Sequence, residues 1–401
     1  MVKFEDVKKA SENINDLVER TRTRHSKTIS DIAGADVYLK FENRQNTGSF
    51  KARGALNAIK NLSDESKKKG VIAMSAGNHA QGVAYMSEKM GIPSVIVMPE
   101  NTPFVKVRNT QKYGAEVVLH GDFVQATAHA EKLAKENGYT FIHPYDNADV
   151  IAGQGTVGLE MMEDVSDLDV VLTPIGGGGL ASGVALAVKG INPKVKVYGV
   201  QTEMYPAVKQ ILNNEKVAVG GSTIAEGVAV KHPGKMTVEI IKSELDDILT
   251  VTEEQIERAM VLILENDKTL VEGAGAVALA GVLANQKLFK GKKVGVILSG
   301  GNIDQRILAS VLMRDLVHIG RLGRLRIYLP DQPGVLSNVS AIIGDGGGNI
   351  VEMTYQHIFS HATVKETSIE IAIETKGKTD FSNIVETLNE KGFKTVEMSA
   401  G

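Results

Sequence analysis

The chain has 401 residues, room for two or three domains, and 43% of them are hydrophobic, enough to furnish a large core. A formal net charge of -3 argues against nucleic acid or an anionic membrane held by bulk charge. Cysteine is absent, which excludes disulfides and thiolate metal sites and fits the cytoplasm, and no stretch approaches the roughly 20 apolar residues that span a bilayer.

The opening residues are amphipathic and charged, without the apolar core of a signal peptide. Asp36–Phe41 reads as a strand, and Asn46-Thr47-Gly48-Ser49-Phe50-Lys51-Ala52-Arg53-Gly54-Ala55-Leu56 follows it. This segment sets a lysine between a Gly-Ser turn and a helix rich in small residues. Burial disfavours the ammonium form, and a neutral lysine is a nucleophile suited to a Schiff base with an aldehyde. Taken alone, the segment is only suggestive, because most lysines at a helix start are solvated. Lys67-Lys68-Lys69 reads as such a solvated helix end.

Val71–Met74 is the next strand, and Ser75-Ala76-Gly77-Asn78-His79-Ala80-Gln81-Gly82 turns from it into a helix over His79–Met90. The N–H groups and dipole of a helix start can hold a carboxylate, and Asn78 can donate into the same cup. Strands over Ser94–Met98 and Glu116–Leu119 precede a helix over Val124–Asn137. After the strand Val170–Pro174 comes Ile175-Gly176-Gly177-Gly178-Gly179-Leu180, whose glycines let the backbone approach a phosphate and aim N–H groups at it. Gly176, Gly178 and Ala181 also satisfy a relaxed dinucleotide fingerprint. That reading wants an acidic residue at the end of the next strand, Val195–Val200, where Gln201 stands and Glu203 lies two residues beyond. Thr252 with Gln255 forms a capping-box pattern before a helix over Glu253–Asn266. Glu272-Gly273-Ala274-Gly275 is a further glycine-rich turn, and the strand Lys293–Leu298 ends in Ser299-Gly300-Gly301-Asn302, with a hydroxyl at the same rim. The alternation predicts an α/β fold, a mainly parallel sheet with helices on both faces and chemistry at its strand ends.

Around His318-Ile319-Gly320-Arg321-Leu322-Gly323 the texture changes. A strand over Leu325–Leu329 meets the turn Asp331-Gln332-Pro333-Gly334, and a helix follows with Val335, Leu336, Val339, Ile342 and Ile343 on one face. Strands over Asn349–Tyr355 and Thr367–Glu374, a helix over Phe381–Lys391 and a strand over Thr395–Met398 complete a split βαβ unit, a separate small domain. His357 and His361 stand four apart in a predicted loop with no third ligand, so no metal site is read there.

Together the lysine segment, Ser75–Gly82, the tetraglycine loop, Glu272–Ala276 and Ser299–Asn302 resemble, in order and spacing, the fold type II pyridoxal-phosphate enzymes, most closely the threonine/serine dehydratases (threonine ammonia-lyases). The resemblance covers about residues 20–315. It implies a catalytic domain over 1–318, built of two open, mainly parallel sheet subdomains, the smaller inserted at about 45–145. A linker over 319–323 leads to residues 324–401, which resemble an ACT domain, a regulatory α+β module of βαββαβ order. By the same resemblance Lys51 carries pyridoxal 5'-phosphate as a Schiff base beside Phe50, and Gly176, Gly177, Gly178, Gly179 and Leu180 hold the phosphate. Asn78 meets the phenolic oxygen, Ser299 the pyridine nitrogen, and Ser75, Gly77, Asn78 and His79 the substrate carboxylate, with Glu272 in support.

The implied activity is conversion of L-threonine to 2-oxobutanoate and ammonia, with L-serine to pyruvate as a secondary reaction. Lys51 takes the α-proton and the β-hydroxyl leaves. A neutral serine at the ring nitrogen makes a shallower electron sink than a carboxylate, which favours elimination over transamination. The rival readings are a β-replacement enzyme, and an amino-acid sensor with a silent catalytic half. Three departures from relatives stand out. Ala76 replaces the second serine of eukaryotic serine racemases, Gln201 and Ala207 replace their metal-binding Glu and Asp, and Arg22-Thr23-Arg24 replaces Thr-Pro-Leu. The ACT resemblance implies an effector pocket at Asp331, Gly334 and Asn338 for a feedback amino acid such as isoleucine or valine. It also implies a homodimer or homotetramer.

Overall fold

The computed structural model describes residues 2–356 and 366–398 and divides into two compact units, Met1–Ile303 and Asp304–Gly401. The helix Gln305–His318 falls in the second unit, whereas the sequence reading places it with the first.

Two sheets organise the first unit. The larger runs in the order Thr23–His25, Asp36–Lys40, Lys293–Ile297, Val170–Pro174, Lys196–Thr202, Asp247–Val251. Only its first pair is antiparallel. The smaller, Glu116–Leu119, Ser94–Met98, Val71–Met74, Thr140–Phe141, is wholly parallel and lies in sequence between two neighbouring segments of the larger one. Its central strands are continuous apolar runs, buried on both faces because helices cover both. In both sheets the parallel strands share a direction, so the loops at their carboxyl ends gather on one side of each sheet.

The helix Ala148–Asp164 carries the chain from the small sheet back to the large one. Asn147 caps it by accepting from Val150 N–H at 3.0 Å, and every residue from Val150 to Met162 is buried. Glycine permits its close contacts. A Cβ on Gly183 would lie 2.3 Å from the Ile151 carbonyl oxygen, and one on Gly54 would lie 2.7 Å from that of Val150.

Beneath the helix Lys51–Lys60 lies a buried charge network. Lys40, Glu42 and Arg53 are fully buried and Glu160 nearly so. The Arg53 guanidinium donates to both carboxylate oxygens of Glu42 at 2.8 Å and to both of Glu160 at 2.7 and 2.9 Å. Lys40 Nζ donates to Glu160 at 2.6 Å and to the Thr21 carbonyl at 2.7 Å. Burial works against the Glu42 charge, and Arg53 with help from Lys40 and the Thr21 hydroxyl more than offsets it, so that carboxyl sits below its ordinary pKa.

In the second unit a four-stranded antiparallel sheet, ordered Asn349–Gln356, Glu366–Glu374, Leu322–Pro330, Thr395–Glu397, packs against the helices Val335–Asp345 and Lys378–Glu390. Leu325, Ile327, Ile343, Ile371, Phe381 and Leu388 belong to its core. Leu336 departs from the expected helix face and is 38% exposed. The core follows Val335, Val339, Ile342 and Ile343, and Leu336 is turned about 100° from Val335. His357 and His361 lie outside the described residues.

Candidate active site

Lys51 is the first residue of its helix, and its position is fixed by pairing with the late strand's end. Ser49 bridges Gly300, and Phe50 N–H donates to the Ser299 carbonyl at 3.1 Å. Gly48 makes the preceding turn at φ +72, a left-handed conformation that glycine adopts without strain. The Lys51 amine donates to the Pro144 carbonyl at 2.8 Å and sits 5.2 Å from the centroid of the Phe50 ring. Burial lowers its pKa to about 8, with the Glu272 carboxylate pulling the other way.

The Ser75–Gly82 turn opens the helix Asn78–Lys89. Gly77 N–H donates to Ser75 Oγ at 3.2 Å, and a Cβ on Gly77 would meet nothing within 4 Å, so this cup faces open space. Asn78 Nδ2 donates to Glu272 Oε1 at 2.6 Å, and Asn302 Nδ2 donates to Asn78 Oδ1 at 2.8 Å. Asn302 also donates to the Thr47 carbonyl at 2.7 Å, which ties the lysine turn, the Asn78 cup and Glu272 into one chain. Burial raises the Glu272 pKa to about 7, against the Asn78 hydrogen bond and with help from nearby Glu226. Glu226 itself pairs with Lys106 at 2.7 Å.

His79 is placed differently from its neighbours. Its imidazole is 2% exposed and its Nε2 lies 2.8 Å from the Ile142 carbonyl, so only its main chain can join the cup. Burial, with the Lys51 charge adding to it, lowers its pKa to about 3, and the ring stays neutral at physiological pH.

Gly178 caps the helix Gly179–Ile191 at φ +96. Among the described residues the amides of Gly176, Gly177 and Gly178 find no protein acceptor, which leaves N–H groups at a helix start free for an anion. Ser299 is 3% exposed and its hydroxyl donates to the Ala274 carbonyl at 3.2 Å. Gln201 is spent locally, donating to the Tyr205 carbonyl at 3.1 Å and accepting from Lys209 N–H at 3.0 Å.

Sequence reading did not find Pro144, Tyr145, Asp146 and Thr237. Pro144 meets the Lys51 amine, Tyr145 and Thr237 lie against the glycine loop, and Asp146 accepts from the first N–H groups of the helix that carries Thr237. Asn302 stood in a quoted motif without a role.

The pattern of the pyridoxal-phosphate dependent enzyme family matches residues 14–300. The chain belongs to that family. Among its relatives in the family, an L-threonine ammonia-lyase of Thermotoga maritima is 42% identical over 98% of this chain and 99% of its own. A catabolic L-threonine dehydratase of Staphylococcus aureus is 44% identical over 79% of this chain and 93% of its own. Of solved structures, threonine deaminase isoform 2 of Solanum lycopersicum aligns at TM-score 0.75 and 34% identity, covering 79% of this chain and 88% of that one. Serine racemase of Dictyostelium discoideum aligns at 0.72 and 38%, covering 76% and 99%. As a member of the family the chain uses pyridoxal phosphate, and its residues fit that group: an enclosed lysine amine for the aldehyde, and acceptor-free glycine amides for the phosphate.

Proposed function

We propose that the protein converts L-threonine to 2-oxobutanoate and ammonia, and L-serine to pyruvate as a secondary reaction. The observation that carries this is the Lys51 amine, held at 2.8 Å from the Pro144 carbonyl and lowered to about pKa 8 among loops from several strand ends. The full-length likeness to an L-threonine ammonia-lyase supports the same substrate.

Pyridoxal phosphate supplies the electron sink that lets the α-proton and the β-hydroxyl depart. Lys51 would be its attachment point and, with its amine free, the base at the α-carbon. A pKa of about 8 makes that amine a competent proton acceptor near neutral pH. Ser75, Gly77, Asn78 and the His79 main chain hold the substrate carboxylate at the helix start, so base and scissile bonds share one frame. Gly176 to Leu180 hold the phosphate, beside Phe50. Ser299 offers a hydroxyl, not a carboxylate, to the ring nitrogen, which favours elimination. Ala76 leaves the opposite face without a base, which disfavours racemisation. Glu272 acts in support by anchoring Asn78.

The second unit is read as an ACT-like regulatory domain for a branched-chain amino acid. Gly334, in the left-handed region at φ +85, starts the helix Val335–Asp345, with Asp331 before it and Asn338 one turn in. A homodimer or homotetramer in the cytoplasm completes the reading.

The test is to give the cofactor-loaded protein L-threonine and follow 2-oxobutanoate through a coupled reductase. Steady oxo acid is expected, and Lys51→Ala should abolish it. No oxo acid, with a thiol-dependent product instead, would move the assignment to β-replacement.

A further inference from the structure

Resting on the reading of Gly176 to Leu180 as the phosphate loop, we propose that Thr237 is a positioning residue. Its buried hydroxyl fixes the Gly177–Gly178 peptide so that the Gly178 N–H faces the phosphate.

Thr237 lies in the first turn of the helix Lys235–Glu244 and is fully buried. Its Oγ1 is 2.7 Å from the Gly177 carbonyl oxygen and 3.0 Å from that of Gly234. A hydroxyl has one hydrogen to give, and the shorter contact is to Gly177. Gly234 N–H donates to the same Gly177 oxygen at 3.3 Å. In a planar trans peptide the carbonyl of one residue and the N–H of the next point in opposite directions. Holding the Gly177 oxygen toward Thr237 therefore turns the Gly178 N–H away from it, and that amide has no protein acceptor among the described residues.

The loop needs such a hold, because a run of glycines has little conformational preference of its own. Two other contacts close the remaining directions. A Cβ on Gly177 would lie 2.2 Å from the Tyr145 ring, and one on Gly178 would lie 2.7 Å from Thr237 Oγ1. The Thr237 helix is itself anchored. Asp146 accepts from the N–H groups of Lys235 at 3.1 Å, Met236 at 3.0 Å and Thr237 at 3.4 Å, and Ser182 Oγ donates to the Thr237 carbonyl at 3.1 Å.

The experiment titrates cofactor-free protein with pyridoxal phosphate, following the Lys51 adduct by absorbance and the bound phosphate by phosphorus NMR. Thr237→Val keeps the shape and removes the hydroxyl, Thr237→Ala removes both, and Thr237→Ser restores the hydroxyl. Thr237→Val and Thr237→Ala should bind about 5- to 10-fold more weakly, the worth of one directed hydrogen bond, with a displaced phosphorus resonance. Thr237→Ser should return both to the wild-type values, which a loss of packing alone would not explain. Wild-type affinity and an unmoved resonance in either hydroxyl-free variant that folds would overturn the proposal. Wild-type protein that takes up no pyridoxal phosphate would instead overturn the phosphate-loop reading beneath it.

Discussion

Burial acts on Lys51 and Glu272 in opposite senses, lowering the first to about 8 and raising the second to about 7, because each loses hydration in its charged form. For Glu272 the folded protein binds its proton more tightly than the unfolded chain does. The stability this confers is complete below the unfolded value of 4.5 and is lost as pH rises through about 7. Glu272→Gln should therefore gain on wild type between pH 5 and pH 8, read as the difference in melting temperature of the cofactor-free proteins. A difference that does not change with pH would show that Glu272 ionises as it does in the unfolded chain. Asn78 opposes the shift by donating to Glu272 at 2.6 Å, so its truncation should raise the Glu272 pKa further. His79, lowered to about 3, stays neutral in the folded protein near neutrality, and its ionisation in the unfolded chain is common to both proteins and cancels from their difference.

At the scale of elements, the helix Lys51–Lys60 is seated by charge as much as by apolar contact. Arg53 satisfies two buried carboxylates, and removing it leaves Glu42 without its ion-pair partner and Glu160 with Lys40 alone. Arg53→Met should cost about 3–5 kcal/mol in urea unfolding, since an unpaired buried charge is far more expensive than a lost contact. An Arg53→Met protein of wild-type stability would show that Glu42 and Glu160 find water or protons instead. The elements themselves were legible where local chemistry spoke. The strand-end loops at Ser75, Gly176 and Ser299, and the Thr252–Gln255 capping box, which forms with bonds of 3.0 and 3.3 Å, follow from short-range pattern. Thr237 was not legible, because its role is a bond to a carbonyl 60 residues away and a threonine in a helix announces nothing. Pro144 acts through its main chain, which every residue possesses. Leu336 misled because apolar spacing alone does not say where the stripe ends.

For the whole molecule, the two units have separate cores, and the relatives differ in how much of the chain they match. Truncation after Ile303, the end of the first compact unit, should leave cofactor uptake and threonine turnover within about threefold of wild type, in keeping with the autonomy of compact domains. The same truncation should abolish any response of turnover to isoleucine or valine. Full-length turnover indifferent to every amino acid tried would remove the regulatory reading of the tail. The buried charge network also bears on the order in which a nascent chain matures. Arg53 meets Glu42 only 11 residues away but Glu160 at a separation of 107, and all of the small sheet is synthesised in that interval. Without Glu160, Lys40 and Arg53 outnumber the one carboxylate beside them, and burying that excess charge is costly. The dry seat beneath the helix that opens with Lys51 therefore cannot close until the sequence of the small sheet has been made and Glu160 has followed it.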